Sequence, residues 1–314
     1  MAQERSGFAS IRQGGLAMAS LPMRLFAKGN RMFWNPADID FSRDARDWAE
    51  MPEVEREAAR LLAALFLAGE EAVTQDIQPF MAAVAAEGRL EDELYLTQFA
   101  FEEAKHVEGF RRWFDAVGEI DDLHPSVEFN DGYRKIFYEE LPRSLNALAD
   151  DPSPAAQVRA AVVYNQVVEG VLAMTGYHAW RKTARERDML YGMQELIGFI
   201  SRDERRHMAW GTYTCRRHIA AEPALWEVVT KTVEELMGPA MTLIEQNYAF
   251  FDDKGGFPFE LSQQETMDFA LRQFSRRLEV IEAAKGSSIE QVESEDLDVE
   301  EELEQEATAD LGVS

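Results

Sequence analysis

The stretches Glu103-Ala104-Lys105-His106 and Glu204-Arg205-Arg206-His207 repeat one pattern, Glu-x-x-His, about a hundred residues apart. In an α-helix, residues three positions apart lie on one face about one turn from each other. A carboxylate and an imidazole in this spacing can therefore bind one metal ion together. One copy is a weak indication, because both residue types are common on solvated helix faces. Two copies on separate long helices point to a metal site.

Both copies continue apolar helical stripes. On the first helix the stripe contains Leu96, Phe99, Phe110 and Trp113, and on the second it contains Ile197 and Ile200. An unpaired carboxylate on a buried stripe costs several kcal/mol. The motif glutamates must therefore be paired, protonated or bound to metal.

Two other predicted helices each place a glutamate on an apolar face. Glu70 follows Phe66 by four residues and so lies on the same apolar helix face. Its neighbour Glu71 lies instead on the face of Leu67 and Thr74, so we select Glu70 as the candidate ligand. Glu169 precedes Leu172 by three residues and is the second candidate. The helices thus provide, in chain order, Glu, Glu-x-x-His, Glu and Glu-x-x-His.

This order matches the arrangement of di-iron and di-manganese carboxylate proteins built on ferritin-like bundles. Four glutamates carry a charge of −4, which two divalent cations neutralise, and a neutral cluster is the form that can be buried. Oxygen-rich sites with one imidazole per metal suit iron or manganese. We therefore predict an all-α fold with a ferritin-like four-helix core, additional helices and an internal dimetal-carboxylate site. The predicted ligands are Glu70, Glu103, His106, Glu169, Glu204 and His207.

Apolar periodicity, glycines and prolines divide the chain into three parts. Residues 1–50 form an arm that packs on the body, residues 51–284 a ferritin-like helical domain, and residues 285–314 an acidic tail predicted to be disordered. The long helices are predicted at about 52–86 with an interruption near Pro79, 91–117, 154–182, 188–220 and 226–250, with one more at 265–284.

Composition excludes several classes of protein. The formal net charge is −26, and eleven acidic residues lie between Glu290 and Asp310, so the rest of the chain carries −15. This charge argues against a general nucleic-acid-binding protein. No apolar run has the roughly 18 residues that a membrane helix needs. The single cysteine, Cys215, excludes an internal disulfide and fits a cytoplasmic location.

The sequence resembles the small subunits of ribonucleotide reductase over roughly residues 8–280, and within them the branch of R2-like ligand-binding oxidases. The segment before the first long helix and both Glu-x-x-His motifs resemble the wider family. Residues typical of the oxidase branch occur around the two remaining glutamates. The segments that carry the resemblance are 33–44, 101–106 and 203–207 for the family, and 69–74, 76–80, 164–165 and 169–170 for the branch.

The resemblance implies a manganese/iron centre, with two irons as the alternative. Glu70, Glu103 and His106 would hold manganese, Glu103 would bridge both metals, and the other three ligands would hold iron. It also implies dioxygen reduction, a long-chain fatty acid at the metals, a homodimer, and an ether cross-link between Tyr164 and Val73. Spacing alone does not predict that cross-link: Tyr164 lies five residues before Glu169, about 140° around an ideal α-helix.

Three other residues are candidates near the site. Trp34 and Asp203, together with His106, match the electron path of a reductase subunit, although packing and orientation of the histidine are the simpler roles. Tyr177 is a candidate for the wall of a ligand cavity.

Three alternative functions use the same fold. A radical-storing reductase subunit usually needs a tyrosine four residues after the first motif histidine, where this chain has Phe110, and its docking tail often carries aromatic residues, of which none follow Phe274 here. A fatty-acyl desaturase also uses Glu-x-x-His pairs, but segment 33–44 favours the reductase side. Iron-storage proteins have shorter chains and no such arm.

Overall fold

The computed structural model describes residues 7–294, and within this range the fold consists of helices without strands. The α-helices are α1 (Leu21–Arg31), α2 (Ser42–Glu50), α3 (Glu53–Asp76), α4 (Gln78–Ala86), α5 (Leu90–Val117), α6 (Pro125–Glu128), α7 (Asp131–Tyr133), α8 (Leu141–Asn146), α9 (Pro154–Ala161), α10 (Met174–Glu186), α11 (Tyr191–Ala221), α12 (Trp226–Ala249), α13 (Gln263–Glu282) and α14 (Ile289–Ser294). Two π-helical segments, Arg134–Glu140 and Val162–Ala173, connect α7 to α8 and α9 to α10. The predicted all-α, ferritin-like fold is confirmed.

Local sequence explains where the site-bearing helices end. Pro79 lacks a backbone N–H and its ring clashes with the preceding turn, so α3 stops at Asp76 and α4 starts at Gln78. α5 ends at Gly118, whose φ of +80° is the left-handed conformation that glycine adopts without strain. The predicted third helix is one continuous helical run from α9 to α10, with a π-helical centre.

Two buried apolar clusters divide the interior, and the site lies where they meet. Along α5, Phe99 belongs to one cluster and Phe110 to the other, with the first motif between them. Along α11, Ile200 and Trp210 occupy the same two clusters, with the second motif between them. The carboxylates are therefore held in the middle of the buried interior.

A close helix approach brings α11 against the π-helical segment Val162–Ala173. At Gly211 a Cβ atom would lie 2.2 Å from the Cβ of Asn165, so only glycine fits there. Gly198, on the same helix, faces open space. Thus α11 needs a glycine where it meets the π-helical segment but has room for a side chain at Gly198.

The ends of the chain differ partly from the prediction. In the arm, α1 and α2 pack on α5, and Trp34 is 5% exposed. Residues 289–294, assigned above to a disordered tail, instead form α14, because Val292 is buried against the body and α14 packs on α11. The rest of the predicted tail, residues 295–314, lies outside the described range. Within residues 7–294, no helix combines the length and apolarity needed to cross a membrane.

Candidate metal centre

The six predicted metal ligands lie together at the centre of the bundle. None is more than 6% exposed. Four elements contribute them: Glu70 comes from α3, Glu103 and His106 from α5, Glu169 from the π-helical segment, and Glu204 and His207 from α11.

The Nδ1 atom of His106 faces a group of carboxylates on one side of the site. It lies 3.3 Å from Glu70 Oε2, 3.3 Å from Glu103 Oε2 and 3.7 Å from Glu204 Oε1. Ligand atoms on adjacent corners of an octahedron, with metal–ligand bonds of about 2.1 Å, are separated by about 3.0 Å. These spacings therefore suit one coordination shell.

The Nδ1 atom of His207 faces the other side. It lies 3.0 Å from Glu103 Oε1, 3.6 Å from Glu169 Oε1 and 3.6 Å from Glu204 Oε2. Two groups of potential ligand atoms result, and both contain Glu103 and Glu204. The resemblance implied bridging by Glu103, and this geometry places Glu204 in both groups as well.

Each histidine is oriented by a carboxylate from the helix that carries the other histidine. Asp203 Oδ2 on α11 lies 3.4 Å from His106 Nε2, and Glu102 Oε2 on α5 lies 3.0 Å from His207 Nε2. Such outer carboxylates fix the ring orientation and raise ligand basicity. Glu102 was not among the predicted site residues. Its signal was the acidic residue that directly precedes the glutamate of both motifs.

The outer carboxylates are themselves charge-paired. Arg206 donates to Glu102 Oε1 at 2.6 Å and to Asp203 Oδ1 at 2.6 Å, and so connects the two. Asp203 Oδ2 also accepts from Trp34 Nε1 at 2.7 Å and from Lys105 Nζ at 3.2 Å. Trp34 therefore contacts Asp203, which orients His106, and does not donate to a predicted metal ligand directly.

Polar atoms facing the centre of the cluster have no hydrogen-bond partner within residues 7–294. These atoms are Glu169 Oε1, Glu204 Oε2 and His207 Nδ1. His207 Nδ1 lies 3.6 Å from each of the two carboxylate oxygens, which is too far for a hydrogen bond, and its 3.0 Å approach to Glu103 Oε1 lacks hydrogen-bond geometry. Buried polar atoms without partners are costly, and cations at the centre would satisfy all three. The donor set thus fits two metal ions.

Burial shifts the pKa values of the four glutamates in the cluster. Burial, together with the nearby Glu103 and Glu169 carboxylates, raises the pKa of Glu204 to about 8. Burial likewise raises the pKa of Glu169 to about 7 and that of Glu70 well above its usual range. For Glu103, burial acts in the same direction, but the two adjacent histidines hold its pKa well below the usual range. Without metal, the cluster therefore retains protons that cations would replace.

Tyr164 lies against the cluster because its helix is π-helical. A π-helix is hydrogen-bonded from residue i to i+5, so residues five apart come close to one face. The separation of about 140° expected from ideal α geometry is wrong here for this reason. The Tyr164 hydroxyl donates to Glu103 Oε1 at 2.8 Å, and its ring is 1% exposed.

An apolar cavity of about 130 Å³ opens beside the cluster. Glu70, Glu103, Glu169 and Glu204 line its inner end, and Val73 and Tyr164 both lie on its wall. Its outer walls are mainly aliphatic and aromatic, including Leu62, Leu65, Phe137, Leu172, Leu243 and Phe257.

The chain closely resembles known proteins in sequence and in structure. A family model of the ribonucleotide reductase small chain matches residues 23–279. An R2-like ligand-binding oxidase from Sulfolobus acidocaldarius, solved by micro-crystal electron diffraction, is 37% identical, covers 92% of this chain and 99% of its own, and superposes with a TM-score of 0.84. The chain belongs to the R2-like ligand-binding oxidases of the ribonucleotide reductase small-chain family.

Other R2-like ligand-binding oxidases in the comparison carry metals. One structure, with an aerobically reconstituted Mn/Fe cofactor, is 36% identical, covers 88% of this chain and 98% of its own, and has a TM-score of 0.84. A variant with an anaerobically reconstituted Mn/Fe cofactor is also 36% identical, covers 88% of this chain and 99% of its own, and has a TM-score of 0.83.

One residue of this oxidase does not occupy its predicted place. Tyr177 was a candidate for the cavity wall, but it is not among the residues that line the cavity. Its ring stacks on Phe66 at 4.9 Å, Phe66 stacks in turn on Phe110 at 5.4 Å, and its hydroxyl lies 3.4 Å from Glu204 Oε1. Tyr177 therefore contacts one predicted metal ligand, Glu204, and the Phe66 ring instead of the cavity.

Proposed function

We propose that this oxidase activates dioxygen at a manganese/iron centre beside a bound long-chain fatty acid. The relatives that carry an Mn/Fe cofactor and the two overlapping ligand groups support this assignment. Manganese would occupy the His106 side and iron the His207 side, the alternative being two irons. The manganese ligands would be Glu70, Glu103 and His106, and the iron ligands Glu169, Glu204 and His207.

The observation that carries the proposal is the continuity between the cluster and the apolar cavity. Four glutamates of the predicted metal site line one end of the cavity, and mainly apolar side chains line the rest. A ligand with an anionic head and an apolar tail fits this division, because cations attract the head while the walls bury the tail. A long-chain fatty acid has both features.

When bound, the two metals would supply the redox equivalents for dioxygen reduction. The chain contributes positioning and protection. Glu103 accepts the hydrogen bond of the Tyr164 hydroxyl and can receive its proton. Burial raises the pKa of Tyr164 well above its usual range, so the phenol stays protonated until it reacts. The apolar cavity walls keep bulk water away from the reacting atoms.

We further propose an ether cross-link between the Tyr164 oxygen and the Val73 side chain. Forming it breaks one O–H and one C–H bond and makes one C–O bond. Metals held by the six predicted ligands and oxidised by dioxygen would accept the two electrons, and the two protons would leave, one of them through Glu103. Both side chains line the same cavity, and Val73 lies one turn beyond Glu70.

A reductase-type role is the second candidate, because one connection favours it. Trp34, Asp203 and His106 are joined by contacts of 2.7 and 3.4 Å, which gives a direct route between the arm and the metals. Phe110, which has no oxidisable hydroxyl, occupies the position where the radical-storing tyrosine would lie. We rank this function second. A homodimer and a cytoplasmic location remain part of the proposal, and light scattering of the full chain tests the former.

Two measurements on one preparation test the proposal. Protein loaded anaerobically with Mn(II) and Fe(II) is exposed to dioxygen, extracted with organic solvent, and digested for mass spectrometry. We expect about one fatty acid per chain by the site geometry and a Val73–Tyr164 peptide pair lighter by two hydrogen atoms. Tyr164→Phe, loaded equally, should yield the fatty acid without the cross-link.

Different results would contradict the cross-link and the fatty-acid ligand. A fully metallated, oxidised protein whose peptides are recovered only unlinked would refute the cross-link. An extract without fatty acid from the same sample would favour the reductase-type role.

A further inference from the structure

A buried tryptophan on the His207 side of the centre has no part in the proposed reaction. Trp210 is 1% exposed and follows His207 by three residues on α11. Phe99 lies between them: its ring stacks on His207 at 3.6 Å and meets Trp210 edge-on at 6.4 Å. A closely packed path of rings therefore leads from a metal ligand to an oxidisable indole.

The indole has a built-in proton acceptor. Trp210 Nε1 donates to Asp92 Oδ1 at 2.9 Å, and Asp92 is 1% exposed. Arg89 Nε donates to the other oxygen, Oδ2, at 2.9 Å, and this charge-assisted hydrogen bond holds the buried carboxyl group in place. The N–H of an indole becomes strongly acidic when the ring loses an electron. A carboxylate that already accepts a hydrogen bond from this N–H can take up the proton as the electron leaves.

Tyr95 provides an internal comparison. Its ring lies 6.1 Å from Phe99, about as near as that of Trp210, and it is fully buried. Its hydroxyl, however, has no hydrogen-bond partner within residues 7–294. Phenol oxidation requires proton loss, so Tyr95 is a poor donor despite its position. Of the two oxidisable rings that flank Phe99 away from the ligands, only Trp210 has an acceptor.

The path continues towards the surface. Tyr213 follows Trp210 by three residues on α11, and its hydroxyl accepts from Arg89 at 2.6 Å. Arg89 is partly exposed, with 26% of its side chain accessible. Arg89 thus contacts both Asp92 and the Tyr213 hydroxyl and links them to solvent.

We propose that Trp210 is an electron donor to the oxidised centre, separate from Trp34 and on the opposite side of the site. One electron passes from the indole by way of Phe99 and His207 to the centre, which is reduced by one equivalent, and the indole proton passes to Asp92. Since this proposal rests on the proposed function, dioxygen is the oxidant. Trp210 would remove oxidising equivalents when no organic substrate consumes them.

The test follows radicals in the metal-loaded full chain. Protein containing ring-deuterated tryptophan is mixed with dioxygen or, in a parallel arm, with hydrogen peroxide, frozen within milliseconds, and examined by electron paramagnetic resonance. We expect an indole radical whose hyperfine pattern changes on deuteration. Trp210→Phe should lose most of this signal. Trp113→Phe is the matched control, because Trp113 is also fully buried and donates to a carboxylate, Asp44, at 3.0 Å.

A second measurement avoids dependence on variant folding. Peptide mapping of the wild-type protein after repeated oxidation without reductant should show several-fold more oxygenated Trp210 than Trp113, with metal-free protein as background. An unchanged signal in Trp210→Phe, equal loss in Trp113→Phe, or oxidation of Trp210 no greater than in metal-free protein would overturn the proposal. If dioxygen fails to oxidise the centre, the proposed function fails, and the peroxide arm still decides the role of Trp210.

Discussion

Glu102→Gln should weaken metal binding at one side of the centre while the fold persists. Glutamine keeps the shape of the side chain and can still accept from His207 Nε2, but it removes the charge that lies 3.0 Å from the ring. The substitution also removes one of the two carboxylates to which Arg206 donates. Loss of an outer partner of a metal-bound histidine typically lowers affinity about 10- to 100-fold, which equals about 1.4–2.7 kcal/mol.

The effect should be confined to the His207 side, because a different carboxylate, Asp203, orients His106. Anaerobic titration with Mn(II) and Fe(II) against a fluorescent chelator resolves the two binding steps. We expect one step to weaken within the stated range and the other to change little. Glu108→Gln is the control, since it removes the same charge from α5 at an exposed position paired with Arg112. Two unchanged steps in a folded Glu102→Gln protein would refute the crossed arrangement of outer carboxylates.

Four further outcomes follow from the structure. Glu70→Gln should lose metal on the His106 side, whereas Glu71→Gln should retain both ions, as elemental analysis of refolded protein would reveal. Gly211→Ala should lower the free energy of unfolding by about 1–3 kcal/mol through overpacking, while Gly198→Ala, facing open space, should raise it by about 0.5–1 kcal/mol; denaturant titration compares them. Burial lowers the pKa of His218 in the folded protein to about 3. In the unfolded chain the same imidazole titrates near 6.5, so its protonation favours unfolding as the pH falls below about 6.5. His218→Gln should therefore lose less stability than wild type over this pH range. Metal should raise the melting temperature relative to chelator-treated protein, because cations replace protons on buried carboxylates, and equal melting points would contradict a buried cluster.

The burial and grouping of the candidate ligands could be predicted from the sequence, because most of them lie on regular α-helices. The motif residues and Glu70 lie on α-helices, so spacings of three and four residues correctly predicted which side chains face inward. The boundaries of α3, α4 and α5 followed from Pro79 and Gly118 for equally local reasons.

The prediction was incomplete where local geometry departs from the α-helix. Tyr164 and Glu169 lie in a π-helical segment whose sequence contains no signal of the altered periodicity. The approach of Tyr164 to Glu103 was therefore not predicted. The short helices between residues 125 and 146 offered too few turns for an apolar repeat. Glu102 resembled a solvated neighbour of the motif until the packing of α5 against α11 placed it beside His207.

Anomalous diffraction at the manganese and iron edges tests the central claim most directly. Crystals of the full chain would be grown after reconstitution with both metals in air, and difference maps would be calculated on each side of both edges. We predict two peaks per chain, manganese beside His106 Nδ1 and iron beside His207 Nδ1, with Glu103 and Glu204 between them. A single peak, or ions bound away from these histidines, would contradict a dimetal oxidase centre.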